Sequence, residues 1–133
     1  MTKLIYLAAP YSDPDAAVCE KRTAQASRAA ALLMSRYGLV VFSPITHGHS
    51  VAPHLPVKLA VSHEFWMAQC LPVLAKCDEL FVLRLPGWDR SAGVKHEWDF
   101  AIRNNLPIRT VDFFGQTTTP MADFILHLQK DFS

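Results

Sequence analysis

"LIYLAAPYSDPDAA", residues 4 to 17, decides how the rest of the chain is read. Residues 3 to 9 form a short, near-continuous apolar run that reads as a buried strand. "PYSDPDAA" then carries turn chemistry, and Asp13 stands one residue before Pro14, as a helix cap stands before a proline in the first turn. From there Cys19, Thr23, Ala26, Ala30, Leu33 and Tyr37 recur at steps of three or four, and Gly38 supplies a stop, which predicts an amphipathic helix. A buried strand that turns directly into an amphipathic helix is the opening unit of an α/β fold.

The same pattern continues down the chain. "LVVFSP" reads as a second buried strand, "ITHGHSVAPHLPVK" as a long loop, and residues from about Ser62 to Lys76 as a second helix. "ELFVLRL" is a third strand, "PGWDRSAG" a turn, "VKHEWDFAIRNN" a third helix, "PIRTVDFF" a fourth strand and "MADFILHLQKDF" a C-terminal helix. This alternation predicts a three-layer, flavodoxin- or Rossmann-like α/β fold: a parallel sheet of four to five strands, helices on both faces, and right-handed crossovers. With 133 residues, half of them hydrophobic, and no repeat, low-complexity tract or linker, the chain reads as one domain, 1–133.

Ligands of such sheets sit beyond the carboxyl ends of the strands. The loops expected to matter are therefore "APYSDPD", "SPITHGHS" and "LPGWDRSAG", the second of which offers Ser43 and His47 as substrate contacts. Thirteen basic residues against twelve acidic ones give a formal charge of +1, with no basic stretch to track a nucleic acid polymer. No apolar run approaches the ~20 residues that span a bilayer, and "LIYLAA" is shorter than a signal-peptide core, so no membrane partner is expected. Cys19, Cys70 and Cys77 are odd in number and lack paired ligand spacing, which suits reduced thiols in the cytoplasm.

Several common sites cannot be built. The first strand-to-helix turn has no glycine, which excludes the dinucleotide fingerprint and the phosphate loop. "HEFWM" and "HEWDF" each lack the second histidine of a helical zinc protease site. His47 and His49 of "THGH" are weak metal candidates, loop histidines that only hydrogen-bond being commoner, and neither a metal nor another cofactor is expected.

The densest chemistry is "GWDRSAGVKHEWDFA", residues 87 to 101. If the third helix is capped near Ser91, then Val94, Trp98, Ala101 and Asn105 define its inward face and Glu97 lies beside that face. Glu97 is too far along for a capping box, which would put the acid at position 94. Two readings of the residue itself stay open: an ion pair with Lys95, Arg90 or Arg103, or a functional carboxylate.

"IYLAAP" at the start, "CDEL" before the third strand, and Ser91, Gly93, Val94 and Glu97 with Ala101 following resemble the nucleoside 2-deoxyribosyltransferase-like superfamily, which includes nucleoside 5'-monophosphate N-glycosidases. The resemblance spans nearly the whole chain, and "SPITHGHS" with "GWDRSAGV" is most similar to a small bacterial branch of that superfamily. It implies cleavage of the bond between a base and the sugar C1', with Glu97 as nucleophile, by the logic of a retaining glycosidase: a carboxylate traps an oxocarbenium-like centre as a sugar ester that an acceptor releases. Water as acceptor makes a hydrolase; a second base makes a transferase.

The resemblance also implies an acid for the departing base at Asp78, with Asp89 as a second candidate, although a structural role for Asp78 stays open. It further implies that the Tyr6 hydroxyl orients Glu97, a core tyrosine being the alternative. Ser91 stands where the transferases carry an Asp and the monophosphate enzymes a Ser; a hydroxyl with free N–H groups at a helix start suits a 5'-phosphate, and is equally compatible with a plain N-cap. Trp88 either stacks on a base or packs against its loop. "YSDPD" departs from the glycine-rich loop of the monophosphate enzymes. A second function class is a non-catalytic nucleotide-binding protein on the same scaffold, and a third is a structural or metal-binding protein using "THGH". Subunits of the family commonly complete one another's sites, and the apolar groups Phe65, Trp66, Met67, Leu71 and Leu74, with "MADFILHL", favour a homo-oligomer, a dimer or tetramer, the alternative being that one subunit buries them all to cover both faces of its sheet.

Overall fold

A computed structural model describes residues 2–113 and 124–129, with side chains over 2–112. Its elements are β1 (Leu4–Ala8), α1 (Ala16–Arg36), β2 (Val40–Phe42), α2 (Pro44–Val51), α3 (Val57–Ala60), α4 (His63–Lys76), β3 (Glu79–Leu83), α5 (Ala92–Arg103), β4 (Ile108–Phe113) and β5 (Phe124–Gln129). One sheet runs β2-β1-β3-β4-β5, with the first four strands parallel and β5 antiparallel to β4. The three-layer α/β expectation is met.

Strand alternation divides the core between the two faces of the sheet. Ile5, Leu7, Phe81, Leu83 and Val111 face α1, whose Ala26, Ala29, Ala30 and Leu33 are buried against them. Three alanines on that helix stripe let the backbone approach the sheet closely. Tyr6, Ala8, Leu80, Val82 and Ile108 face the other way, toward Leu74 of α4 and Val94 and Ala101 of α5. Because β1 lies between β2 and β3, the chain winds outward in both directions from it, and the crevice past its carboxyl end is a topological switch point.

Five local expectations are corrected. The cap of α1 is Asp15, which accepts from the Ala17 N–H, while Asp13 accepts from the Asp15 N–H at 2.9 Å and forms the turn before the helix. Tyr37 lies past the buried stripe, at the C-cap, and Gly38, at φ +65, supplies the left-handed residue that ends the helix. The stretch read as a long loop is largely helical: Ser43 caps α2, Pro44 occupies its first turn, a 3-10 turn covers Ala52–His54, and α3 follows. Asn105 is not on the inward face of α5; it follows the helix with φ 56 and is exposed. Finally, residues 124–129 of the expected C-terminal helix form β5, because an otherwise open β4 edge offers a row of hydrogen bonds that a helix would leave unpaired. The remainder of "MADFILHLQKDF", residues 121–123 and 130–132, lies outside the described residues.

Candidate active site

A cavity of about 460 Å³ opens over the switch point. Its walls come from the segment after β1 (Ala9 to Asp13), from α2 (Ile45, Gly48, His49), from the face of α4 that presents His63, Trp66, Met67 and Cys70 at helical spacing, and from the turn into α5 (Gly87, Arg90 to Gly93, Glu97). The three loops expected from the sequence each contribute to it.

Glu97 is 4 % exposed and lines this cavity. Its Oε2 accepts a short hydrogen bond from the hydroxyl of Tyr6, a fully buried residue of β1. Burial pushes the carboxyl up to about 7, against a smaller downward pull from the Tyr6 hydroxyl. Burial, followed by the neighbouring Glu97 and Cys70, drives Tyr6 far upward, so it stays a donor.

Glu79 shows what an ordinary buried carboxylate looks like in this fold. It sits at the opposite end of the sheet, 4 % exposed, with Lys3 Nζ at 2.8 Å and Arg109 Nε at 3.0 Å. Burial alone would raise it, but hydrogen bonds from both cations hold it below its usual value. Of the three cations weighed as partners, Lys95 meets Asp99 at 3.3 Å and Arg90, though on the cavity wall, meets Asp89 at 3.9 Å, and none of the ion pairs among the described residues joins Lys95, Arg90 or Arg103 to Glu97. A phenol is a much weaker stabiliser of negative charge than two cations, which is why the two carboxyls titrate in opposite directions.

Ser91 is the N-cap of α5, its Oγ accepting from the Val94 N–H at 3.2 Å. It lines the cavity beside Arg90, Ala92 and Gly93, and the N–H groups of Ala92 and Gly93 have no intrahelical acceptor in the first turn. The turn before it is fixed by Arg22 of α1, which donates from Nη1 to the carbonyls of Tyr11 (3.3 Å) and Ser12 (3.0 Å) and from Nη2 to Pro86 (3.1 Å). Gly87 has φ +91, and a Cβ there would lie 2.9 Å from Arg22 Nη2. One guanidinium thus ties the first and third loops of the site together.

The other candidates fall away from the cavity. Asp78 accepts from the Leu4 N–H at 2.7 Å, at the amino ends of β1 and β3; at about 3.3 Å per residue the strands put it roughly 15 Å from the crevice. Asp89 is exposed in the 3-10 turn Trp88–Arg90. Trp88 packs on Trp98, ring centres 6.2 Å apart, against the α5 side of the core. Ser43 is buried as the α2 cap, its Oγ accepting from the Thr46 N–H. His47 is exposed beside Phe42 at a neighbouring apolar groove, whereas His49 lines the main cavity; two residues apart on a helix, they point in different directions and do not converge on one ion.

Tyr11, Glu20 and His49 form a group that no sequence motif marks. The Tyr11 hydroxyl meets His49 Nδ1 at 2.7 Å, and the Glu20 carboxylate pairs with His49 Nε2. Tyr11 and His49 both line the cavity. At the rim, His63 Nε2 and His96 Nδ1 are 2.6 Å apart with the rings stacked. A glutamate and a histidine 29 residues apart have no periodic relation, so only the α1–α2 packing reveals this set.

No curated protein matches the sequence. Residues 3–112, from the first strand into the fourth, match the model of DUF1937, a domain of unknown function, and the chain belongs to that family.

Proposed function

We propose that the protein cleaves the base–sugar bond of a nucleoside or nucleoside 5'-monophosphate, as an N-glycosidase or deoxyribosyltransferase, with Glu97 as nucleophile. The observation that carries this reading is a buried carboxylate, held by a phenol and not a cation, on the wall of a cavity at the switch point. Glu97 attacks C1' as the C1'–N bond breaks; the electron pair of that bond leaves with the base, which takes up a proton, and the sugar remains as an ester of Glu97. Water or a second base then attacks C1' and returns the carboxylate. Because Tyr6 occupies Oε2, Oε1 is the oxygen left to attack. Arg90, the Ser91 hydroxyl and the Ala92 and Gly93 N–H groups suit the 5' end, and a 5'-phosphate in particular.

The test is a panel of nucleosides and 5'-monophosphates, with and without a second base, followed by chromatography of free base. Base released by the wild type and abolished in Glu97→Gln supports the reading. Saturable nucleotide binding without base release assigns the alternative, a non-catalytic nucleotide-binding protein.

Among the described residues no helix is long and apolar enough to cross a membrane. We place the protein in the cytoplasm on its three unpaired cysteines. Of the apolar groups on α4, Leu74 is buried, while Phe65, Trp66, Met67 and Leu71 remain half-buried within one subunit. Trp66 and Met67 line the cavity, and the residual apolar surface of Phe65 and Leu71 supports a homo-oligomer, a dimer or tetramer; light scattering at micromolar concentration tests it, and a monomer mass refutes it.

A further inference from the structure

With Asp78 at the far end of the sheet and Asp89 outside the cavity, neither acid expected from the sequence is placed to protonate a departing base. Another proton path does reach the cavity. Tyr11 comes from the segment after β1, His49 from α2 and Glu20 from α1, and the imidazole uses both nitrogens to join the other two. Tyr11 and His49 line the same cavity as Glu97, while Glu20 stands behind them and is mostly exposed. An ion pair at the surface adds little to stability.

We propose that Tyr11, backed by His49 and Glu20, is the acid that protonates the departing base and the base that activates the incoming acceptor; this rests on the reading of Glu97 as a nucleophile toward C1'. In the acid form His49 is an imidazolium paired with Glu20, its Nδ1–H donates to the Tyr11 oxygen, and the Tyr11 O–H is free to point into the cavity. As the C1'–N bond breaks, the Tyr11 proton passes to a nitrogen of the base and the His49 Nδ1 proton passes to the Tyr11 oxygen. His49 is left neutral, protonated on Nε2 toward Glu20 and accepting from Tyr11. When water attacks the sugar ester, its proton goes to the Tyr11 oxygen and the Tyr11 proton returns to Nδ1, which restores the starting state with the sugar released. One group thus acts as acid and then as base, as microscopic reversibility requires of a retaining mechanism. Burial, with Cys19 and Glu20 adding, raises Tyr11 above an ordinary phenol, so Tyr11 passes protons on without persisting as a phenolate. Glu20 positions His49 and touches nothing that reacts.

The experiment compares two substrates: a purine nucleoside 5'-monophosphate, whose base needs a proton to leave, and a 4-nitrophenyl glycoside of the same sugar, whose phenolate leaves without one. In Tyr11→Phe and in His49→Gln, turnover of the nucleotide should fall about 100-fold or more, and the loss on cleavage of the nitrophenyl glycoside should be at least about tenfold smaller. Azide, which attacks without giving up a proton, should accelerate the variants on the nitrophenyl glycoside and yield glycosyl azide with the configuration of the substrate retained. Both sites line an open cavity and not the core, so the variants should fold. Equal losses on both substrates with no azide effect would overturn the relay while leaving Glu97 in place. A wild type that cleaves neither substrate would overturn the nucleophile reading, and the relay with it.

Discussion

Replacing Glu97 with Gln should stabilise the protein at high pH, and by an amount the structure sets. A carboxyl lifted to about 7 from an ordinary 4.5 means that folding favours its protonated form. The folded-state pKa is raised, so this contribution to stability is fully present below about 4.5 and is lost as pH rises through about 7. The difference corresponds to about 3 kcal/mol between the two extremes. Gln cannot ionise, keeps the size of the side chain and can still accept from Tyr6, so it should match the wild type near pH 4.5 and exceed it by about 3 kcal/mol above pH 8.5. Urea unfolding of both proteins across that range measures the gap; for a domain of this size 3 kcal/mol is about 10 °C in Tm. A gap that stays constant with pH would refute the argument, because it would mean that Glu97 is ionised or protonated equally in the folded and unfolded chains.

Tyr6→Phe removes the hydroxyl that pulls Glu97 downward, so the acid limb of kcat/KM for base release should move to higher pH from its wild-type place near 7; an unmoved limb would show that Tyr6 does not set the charge of Glu97. Ser91→Asp should weaken a nucleoside 5'-monophosphate far more than the matching nucleoside, since the added charge faces the phosphate while Asp still caps α5, and equal effects in calorimetry would reduce Ser91 to its capping role. Gly87→Ala should cost about 1–2 kcal/mol in denaturant unfolding, because φ +91 disfavours an L side chain and the new Cβ would press on Arg22; an unchanged midpoint would show that the loop yields freely.

The layers of the fold and the three loops that border the cavity were legible because buried parallel strands and amphipathic helices leave different periods, and because loops at the carboxyl ends of parallel strands gather over the switch point. Glu97 stood out as an acid too far along its helix to serve the dipole. The second loop was misread because Gly48 and Pro53 look like breakers; the Ser43–Pro44 start was a helix signal that those residues masked. "FILHLQ" carries apolar residues compatible with either period, and pairing to the β4 edge, which no local pattern announces, decides for a strand. Asp78 was assigned by resemblance to "CDEL", but its position one residue before β3 puts it at the amino ends of the strands, where it holds the first residue of β1. Tyr11, Glu20 and His49 were beyond sequence reasoning, since they meet only once α1 and α2 are packed.

The most direct test of Glu97 as nucleophile is mass spectrometry of the protein quenched during reaction with a 2'-fluorinated nucleoside, whose electron-withdrawing fluorine destabilises the oxocarbenium-like centre and so slows hydrolysis of the sugar ester enough for it to accumulate. If Glu97 is the nucleophile, free base appears in solution and the protein becomes heavier by one fluorosugar, with the added mass on the peptide that contains Glu97. Base released with no adduct, or an adduct on any other residue, would contradict it.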